Sequence, residues 1–155
     1  RRVRQRTFQG CAGYADCDLI AIGVSSIGKI GSTYSQNERD IDAYYAALDA
    51  GHLPIMRGYQ LNQDDILRRN IIQDLMCRFS LDYQIYESVF GIPFSRYFAA
   101  ELEDMKQLET LGLVRLKPHS LTVTPKGRFL IRNIAMVFDY HLRHKETKAK
   151  YSQTV

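Results

Sequence analysis

The strongest pattern in this sequence is a series of helical signals that begins at Asn62. Asn62 precedes two acidic residues, Asp64 and Asp65, so a capping side chain and first-turn acids lie where a helix dipole favours them. The apolar residues that follow recur at helical spacing on one face, namely Ile66, Leu67, Ile71, Leu75, Met76 and Phe79. These signals predict an amphipathic helix that opens a helical module.

Two more helices are expected directly after this one. A short helix covers 82–90 and ends at Gly91, because glycine readily adopts the left-handed conformation that closes a helix. Pro93 opens a third helix, with an apolar face made of Phe94, Tyr97, Phe98, Leu102, Met105, Leu108 and Leu111.

A hairpin and a last helix complete the module. Segments 113–117 and 121–124 have the pattern of two paired strands. Thr124 and Pro125 then start a long helix, whose apolar face comprises Leu130, Ile131, Ile134, Val137, Phe138 and Leu142. Three helices, a hairpin and a helix, in this order, are typical of a winged-helix layout.

The chain before this module carries a short apolar run. Leu19 to Ile22 is apolar without alternation, which is typical of a strand covered on both faces, and Thr7 to Gly10 is expected to form a second short strand. Two short strands do not make a stable sheet alone. The sequence therefore predicts that their sheet lies partly outside it.

A glycine-rich stretch follows the apolar run and is expected to be a loop. Glycines allow backbone N–H groups to approach a ligand closely, but GVSSIGKIGS lacks the spacing of a dinucleotide-binding or Walker A loop. Ligand contact and an ordinary turn both stay open here. Asn37 is expected to cap a helix over 38–49, and 53–61 to form a strand or an extended connector.

The charge pattern does not favour nucleic acid as a partner. The net charge of +4 arises from arginines and lysines near the two ends, and such terminal runs are usually solvated. Acids outnumber bases on the predicted third helix, which is the wrong sign for an element that approaches phosphates. A nucleic-acid-binding module remains the alternative, because basic residues surround the predicted hairpin at Arg115, Lys117, Lys126 and Arg128.

No metal site or membrane segment is predicted. Cys11, Cys17 and Cys77 lack the paired spacing of zinc or redox sites and are expected to be reduced thiols. His141 and His144 have no carboxylate at a matching offset. No apolar run is long enough to span a bilayer, and the arginine-rich start lacks the apolar core of a signal peptide, so a cytoplasmic protein is expected.

Many separate segments, in order, resemble one known family. They are FQG, DLIAIGVSSIGKIG, RGYQLNQDDILRRNII, SRYFAAELEDMKQLETLGLV, LTVTPKGRFLIRNIAMVFDYHLR and the closing YSQTV. Together they resemble the C-terminal third of the oxygen-independent coproporphyrinogen III oxidase (dehydrogenase) family. The resemblance covers nearly the whole chain after Thr7.

The resemblance implies an α+β, mostly helical fold. A winged-helix-like C-terminal domain is then preceded by the final strands of a truncated α/β radical S-adenosylmethionine barrel. The expected boundaries are the end of the barrel over 1–36, a connecting helix and extended segment over 37–61, the winged-helix-like domain over 62–144 and a tail over 145–155.

The resemblance also implies a reaction and its cofactors. Family members use a [4Fe-4S] cluster and S-adenosylmethionine to decarboxylate two propionates of coproporphyrinogen III oxidatively, which gives protoporphyrinogen IX in haem biosynthesis. The family's CxxxCxxC cluster motif is absent from this sequence. The chain is therefore expected to be a fragment without catalytic or metal-binding residues, inactive alone and without a cluster.

Two positions carry over from the family as S-adenosylmethionine contacts, Gln9 and Ile27. The implied partners are coproporphyrinogen III and the missing N-terminal barrel of the parent protein, with no membrane. Two alternatives remain, a stand-alone winged-helix module that binds protein or nucleic acid, and a radical S-adenosylmethionine relative that handles haem.

Overall fold

The computed structural model describes the backbone of residues 5–7 and 10–12 and the whole of residues 17–144. The chain divides into two compact units, one ending at Ile66 and the other beginning at Leu67. Each unit is described by itself. Within the described ranges, no helix is long and apolar enough to cross a membrane.

Within the described residues, the first unit contains five short strands, one complete helix and the start of a second helix. Strands β1 (Gln5–Thr7) and β2 (Gly10–Ala12) pair with each other. Strands β3 (Ile27–Ile30), β4 (Thr33–Asn37) and β5 (Ile55–Gln60) form an antiparallel sheet in the order β3-β4-β5. Helix α1 (Ile41–Asp49) connects β4 to β5, so the predicted extended segment over 53–61 is confirmed as a strand.

The two strands predicted near the start of the chain, at 7–10 and 19–22, are both wrong. Thr7 and Gly10 are antiparallel partners, so the chain reverses between them and 7–10 is not one strand. Leu19 makes a single bridge to Lys29, while Ile20 and Ile22 are 75% and 84% exposed. The run at 19–22 therefore forms strand hydrogen bonds at Leu19 alone, and the side chains of Ile20 and Ile22 are exposed to solvent.

The glycine-rich stretch, predicted as a loop, contains a β-hairpin. Strands β3 and β4 pair from Ile27↔Gln36 to Ile30↔Thr33, which leaves a two-residue turn that begins at Gly31. Gly31 has φ +56°, a conformation that glycine adopts readily. Its N–H donates to the Asp18 carboxylate at 2.8 Å, which holds the turn against the preceding segment.

Helix α1 is capped by Asp40, not by Asn37 as predicted. The Asp40 carboxylate accepts the N–H groups of Asp42 and Ala43 at 3.1 and 2.9 Å. Asn37 instead ends β4, where its buried amide donates to the carbonyls of Ala21 and Gly23. The sequence does not distinguish an Asn that ends a strand from an Asn that caps a helix, because the side-chain amide can form the hydrogen bonds of either role.

The second unit follows the predicted order of helices and hairpin. Helix α2 (Gln63–Arg78) runs into it, and Asn62 caps this helix as predicted, with its side-chain oxygen accepting the Asp65 N–H at 2.8 Å. The remaining elements are β6 (Ser80–Asp82), α3 (Tyr83–Phe90), α4 (Phe94–Tyr97), α5 (Ala99–Thr110), β7 (Val114–Lys117), β8 (Ser120–Val123), a 3₁₀ turn (Gly127–Leu130), α6 (Ile131–Met136) and α7 (Tyr140–Arg143).

The sheet of this unit confirms the predicted hairpin and adds a strand to it. β7 pairs with β8, and β6 pairs with the other edge of β8, which gives the order β6-β8-β7. Helix α3 ends at Gly91, with φ +65°, as predicted. Strand β6 is only three residues long, too short for a periodic pattern to reveal it.

The two long helices predicted in the second unit are both interrupted. The third helix breaks at Phe98, which has φ −103° and ψ 30° and separates α4 from α5. The last helix divides into the 3₁₀ turn, α6 and α7, and Asp139 caps α7 by accepting the Leu142 N–H at 3.1 Å. The predicted apolar face of the last helix is buried only in part, since Ile134 and Phe138 are fully buried but Leu130 and Leu142 are 45% and 37% exposed.

Aromatic side chains form the centre of the second unit's core. Phe94 stacks on Tyr83 with ring centroids 4.3 Å apart, and Phe98 packs against Phe94 and Phe138 at 4.8 and 5.5 Å. The fully buried residues are Ile71, Leu75, Phe94, Phe98, Met105, Leu121, Ile134 and Phe138. Burying each such side chain contributes about 1.5–3 kcal/mol, so this core is a major stabilising feature of the unit.

One charged cluster joins the helices around that core. Arg68 pairs with Glu101 at 2.8 Å, both side chains being about nine-tenths buried, and it also donates to the Phe138 carbonyl at 3.2 Å. Its guanidinium lies over the rings of Phe98 and Tyr140. The arrangement satisfies a buried charge from several sides, as a buried ion pair requires.

Candidate functional site

One face of the sheet β3-β4-β5 carries a pocket with a volume of about 380 Å³. Its lining consists of Ile27, Tyr34, Ser35, Gln36, Arg57, Gly58 and Tyr59. All of these residues belong to the three strands, so a single β-sheet forms the pocket.

Strand register explains why the larger side chains of the lining share a face. Ile27 pairs with Gln36, and Gln36 pairs with Arg57, which forms one cross-strand row. Tyr34 pairs with Tyr59 in a second row. Alternate residues of a strand point to the same side, so the two rows together form the wall of the pocket.

Arg57 and Gln36 form a fixed polar pair in the first row. The Arg57 Nε and Nη2 groups both donate to Gln36 Oε1, at 2.9 and 2.6 Å. The Gln36 amide Nε2 donates in turn to the carbonyl of Ser25 at 3.3 Å. The loop before β3 therefore orients Gln36, and Gln36 orients the guanidinium.

Tyr59 is held in the second row by the start of helix α2. Its hydroxyl donates to the buried Asp65 carboxylate at 2.9 Å, and Asp65 also accepts the Asn62 N–H at 3.1 Å. This hydrogen bond to a carboxylate raises the Tyr59 pKa above its usual value. Tyr59 is therefore a neutral aromatic wall at physiological pH.

The pocket combines apolar, aromatic and positively charged surface. Ile27 supplies an aliphatic side chain, and the two tyrosines supply rings. Among the described residues of the lining, Arg57 is the charged one and none is acidic. The arrangement suits binding and orientation of a ligand, and the lining contains none of the usual nucleophile and base pairs of hydrolytic enzymes.

The structure places one of the two predicted site residues in this pocket. Ile27 lies in its wall, while Gln9 lies outside the described residues. Arg57, Gln36 and Tyr34 were not singled out from the sequence. The alternation in TYSQ and MRGY was the available signal, and it identifies a shared face only once the hairpin and its register are known.

The described residues do not fit an iron–sulfur cluster. Within them, no group of three or more His, Cys, Asp or Glu side chains is placed to hold a metal ion. Cys17 is exposed in the first unit, and Cys77 is half-buried on α2 in the second. The side chain of Cys11 lies outside the described residues.

The acidic residues of α5 stabilise the fold. Glu101 pairs with Arg68 and Asp104 pairs with Arg143, at 2.8 and 2.7 Å. Glu109 accepts the N–H of Leu116 on β7 at 2.7 Å. Helix α5, which would have to enter a DNA groove, carries more acidic than basic residues, so the structure gives the nucleic-acid alternative no support.

Comparison with known proteins first defines the class of domain. Residues 61–130 match the model of the HemN C-terminal domain family. This match runs from α2 to the 3₁₀ turn and defines the class of domain that this part of the chain resembles.

The whole chain is similar to one kind of enzyme. It is 45% identical over 138 residues to the oxygen-independent coproporphyrinogen III oxidase of Pseudomonas aeruginosa, covering 89% of this chain and 30% of that protein. It is 42% identical over 154 residues to the oxidase of the same name from Synechocystis, covering 97% of this chain and 33% of that protein. The resemblance predicted from the sequence, to the oxygen-independent coproporphyrinogen III oxidase family, is confirmed.

A solved structure shares the fold. Coproporphyrinogen III oxidase (HemN) from Escherichia coli, described as a radical SAM enzyme, superposes with a TM-score of 0.86 at 41% identity. The match covers 90% of this chain and 32% of the Escherichia coli chain. The mixed helix-and-strand fold class is confirmed, and the chain spans about a third of the length of the relatives it matches.

Proposed function

We propose that this chain is the C-terminal part of an oxygen-independent coproporphyrinogen III oxidase, which converts two propionates of coproporphyrinogen III to vinyl groups with loss of carbon dioxide. The observation that carries the proposal is the match to the Escherichia coli enzyme, at a TM-score of 0.86 over 90% of this chain. Similarity at 41% identity over this length extends across both units, so it is not confined to a shared helical module.

The finer domain organisation belongs to the same proposal. Residues 62–144 form the winged-helix-like domain, and the β6-β8-β7 sheet beside several short helices supports this description. Residues 1–36 are the last part of the barrel, 37–61 connect the two, and 145–155 are a tail. The exposed side chains of Ile20 and Ile22 support packing of this segment against a missing part of the parent protein, since large apolar side chains are usually buried.

S-adenosylmethionine is the ligand proposed for the pocket. Ile27 would contact the adenine or ribose by apolar surface, Gln9 would supply amide hydrogen bonds, and the tyrosine rings would keep water from the bound ligand. When bound, the cofactors supply the radical chemistry that removes a hydrogen atom from a propionate. The cluster would be held by the rest of the parent protein, because the described residues here do not fit it.

The partners proposed are coproporphyrinogen III and the N-terminal barrel of the parent protein, in the cytoplasm. The chain alone is proposed to have no turnover. Its own contribution is to bind and orient, since the pocket lining offers hydrogen-bond donors and ring faces.

A chimeric enzyme tests the proposal. The segment of the Escherichia coli oxidase that matches this chain is replaced by these 155 residues, and anaerobic formation of protoporphyrinogen IX is measured. We expect turnover that depends on S-adenosylmethionine. A chimera that folds and retains its cluster, but forms no protoporphyrinogen IX, would contradict the proposed function.

A further inference from the structure

Among the described residues, Arg57 uses one edge of its guanidinium for hydrogen bonds. Its Nε and Nη2 groups both donate to Gln36 Oε1. A guanidinium has five N–H donors in a planar fork, so the end edge, which contains Nη1 and the second Nη2 proton, is left for another acceptor. Among the described residues, no carboxylate forms an ion pair with Arg57.

Gln36 acts as the positioning residue for this edge. Its side-chain oxygen accepts both Arg57 hydrogen bonds, and its amide donates to the Ser25 carbonyl at 3.3 Å. The guanidinium is thus held on the strand face before any ligand arrives. A preorganised arginine loses less conformational entropy when it binds.

The surroundings favour a ligand that is partly flat and apolar and that carries negative charge. Ile27, Tyr34 and Tyr59 provide the apolar and aromatic surface. Lys29 lies two residues after Ile27 on β3, on the same strand face, and pairs in register with Tyr34. Two positive side chains on this face, with no acid among the described residues of the pocket lining, attract an anion.

We infer that Arg57, oriented by Gln36, binds a carboxylate of the ligand that occupies this pocket. The end edge of a guanidinium matches the two oxygens of a carboxylate with two parallel hydrogen bonds. This inference rests on the proposed function, which supplies two sources of the group. One is the amino-acid carboxylate of S-adenosylmethionine, and the other is a propionate of coproporphyrinogen III.

Binding of paired probes to the 155-residue chain tests this inference. S-adenosylhomocysteine is compared with 5′-methylthioadenosine, which lacks the amino-acid carboxylate. Coproporphyrin III is compared with its tetramethyl ester in the same mild detergent. Binding is followed by NMR, through the backbone amides of β4 and β5 and the Arg57 Nε–H signal, at probe concentrations up to the millimolar range.

Substitutions then assign the effect to Arg57. A charge-assisted pair contributes about 1.5–3 kcal/mol, so Arg57→Gln should lower the affinity for a carboxylate probe about tenfold or more. Arg57→Lys should bind the carboxylate probe with an affinity between those of the unchanged chain and Arg57→Gln, because lysine keeps the charge but cannot form the paired hydrogen bonds. Gln36→Met should lower the affinity for the same probe about threefold, because the guanidinium loses the hydrogen bonds that orient it. Arg39→Gln is the matched control, since Arg39 is exposed in the same unit and does not line the pocket.

The two probe pairs identify the source of the carboxylate. If Arg57→Gln weakens the binding of S-adenosylhomocysteine alone, the site is assigned to the cofactor. If it weakens the binding of coproporphyrin III alone, the site is assigned to the substrate. The inference is overturned if the chain binds no carboxylate probe, or if Arg57→Gln weakens each probe and its carboxylate-free partner equally. The chimera's turnover is measured separately, so an active chimera with either of these results refutes the role of Arg57 and leaves the proposed function standing.

Discussion

Gly127 lies at the start of the 3₁₀ turn and packs directly on the backbone of Leu113. A Cβ added at Gly127 would lie 2.0 Å from the Leu113 carbonyl oxygen and 2.9 Å from Val123 Cγ1. The Gly127 N–H donates to Thr124 Oγ1 at 3.0 Å, and Thr124 donates to the same Leu113 carbonyl at 3.1 Å. The contact between hairpin and helix therefore depends on the absence of a side chain at this position.

Gly127→Ala is expected to destabilise the second unit by about 3 kcal/mol, because backbone atoms must move to admit the methyl group. Urea unfolding followed by circular dichroism measures the change. Gly112→Ala is the control, since Gly112 has φ +71° but no atom within 4 Å of the added Cβ. It should cost only about 1 kcal/mol. Equal losses in the two variants would show that the close approach to Leu113 is unimportant.

At the scale of elements, α3 and α4 are joined by buried tyrosine and phenylalanine rings. Burial raises the pKa of Tyr83 to about 12 from 10.0, with a smaller contribution from the negative charge of Glu109. Burial also raises the pKa of Tyr86, which donates to Asp74 at 2.7 Å. Both hydroxyls therefore hold their protons more tightly in the folded protein than in the unfolded chain.

The raised pKa of Tyr83 predicts a loss of stability in alkali. Below pH 10 both folded and unfolded states keep the proton, so the full stability is present. Between pH 10 and about 12 only the folded state keeps it, and the free energy of unfolding falls by up to roughly 1.4 kcal/mol per pH unit.

The free energy of unfolding, measured with urea at pH 8 to 11, should therefore decrease less steeply with pH for Tyr83→Phe than for the unchanged protein. The exposed Tyr45 supplies the control Tyr45→Phe, which should keep the original slope. Identical slopes for all three proteins would mean that Tyr83 does not hold its proton more tightly when folded.

The elements most accurately predicted from the sequence are those with both an apolar stripe and a terminal signal. Asn62 begins α2 and Gly91 ends α3, as expected. The breaks at Phe98 and Asp139 were not predictable from periodicity, since the apolar spacing continues across them. They depend on how the short helices pack, which is a tertiary effect.

The candidate site was less predictable than the second unit. Ile27 is predicted through family resemblance alone, and the glycines of GVSSIGKIGS favour a loop where the structure has β3 and a turn. Arg57 lies 30 residues from Ile27 in the chain, and only the register β3-β4-β5 brings the two together. Long-range strand pairing of this kind is not encoded in any local pattern.

At the scale of the whole molecule, the two units contribute differently to the proposed enzyme. The second unit has a continuous apolar core and the HemN C-terminal domain match. The first unit has no buried residue on α1 and carries the pocket. We therefore expect the second unit to supply stability and the first to supply ligand contacts, which makes the β3-β4-β5 face the part of this chain closest to the chemistry.

The KM for S-adenosylmethionine in the chimeric oxidase, compared between Ile27→Ala and Ile30→Ala, tests this account most directly. Both isoleucines lie on β3, but Ile27 lines the pocket and Ile30 lies on the opposite face, 60% exposed. We predict that Ile27→Ala raises the KM about tenfold, the equivalent of about 1.4 kcal/mol of lost apolar contact, and that Ile30→Ala changes it less than about twofold. An unchanged KM in Ile27→Ala, or the same increase in both variants, would contradict the account.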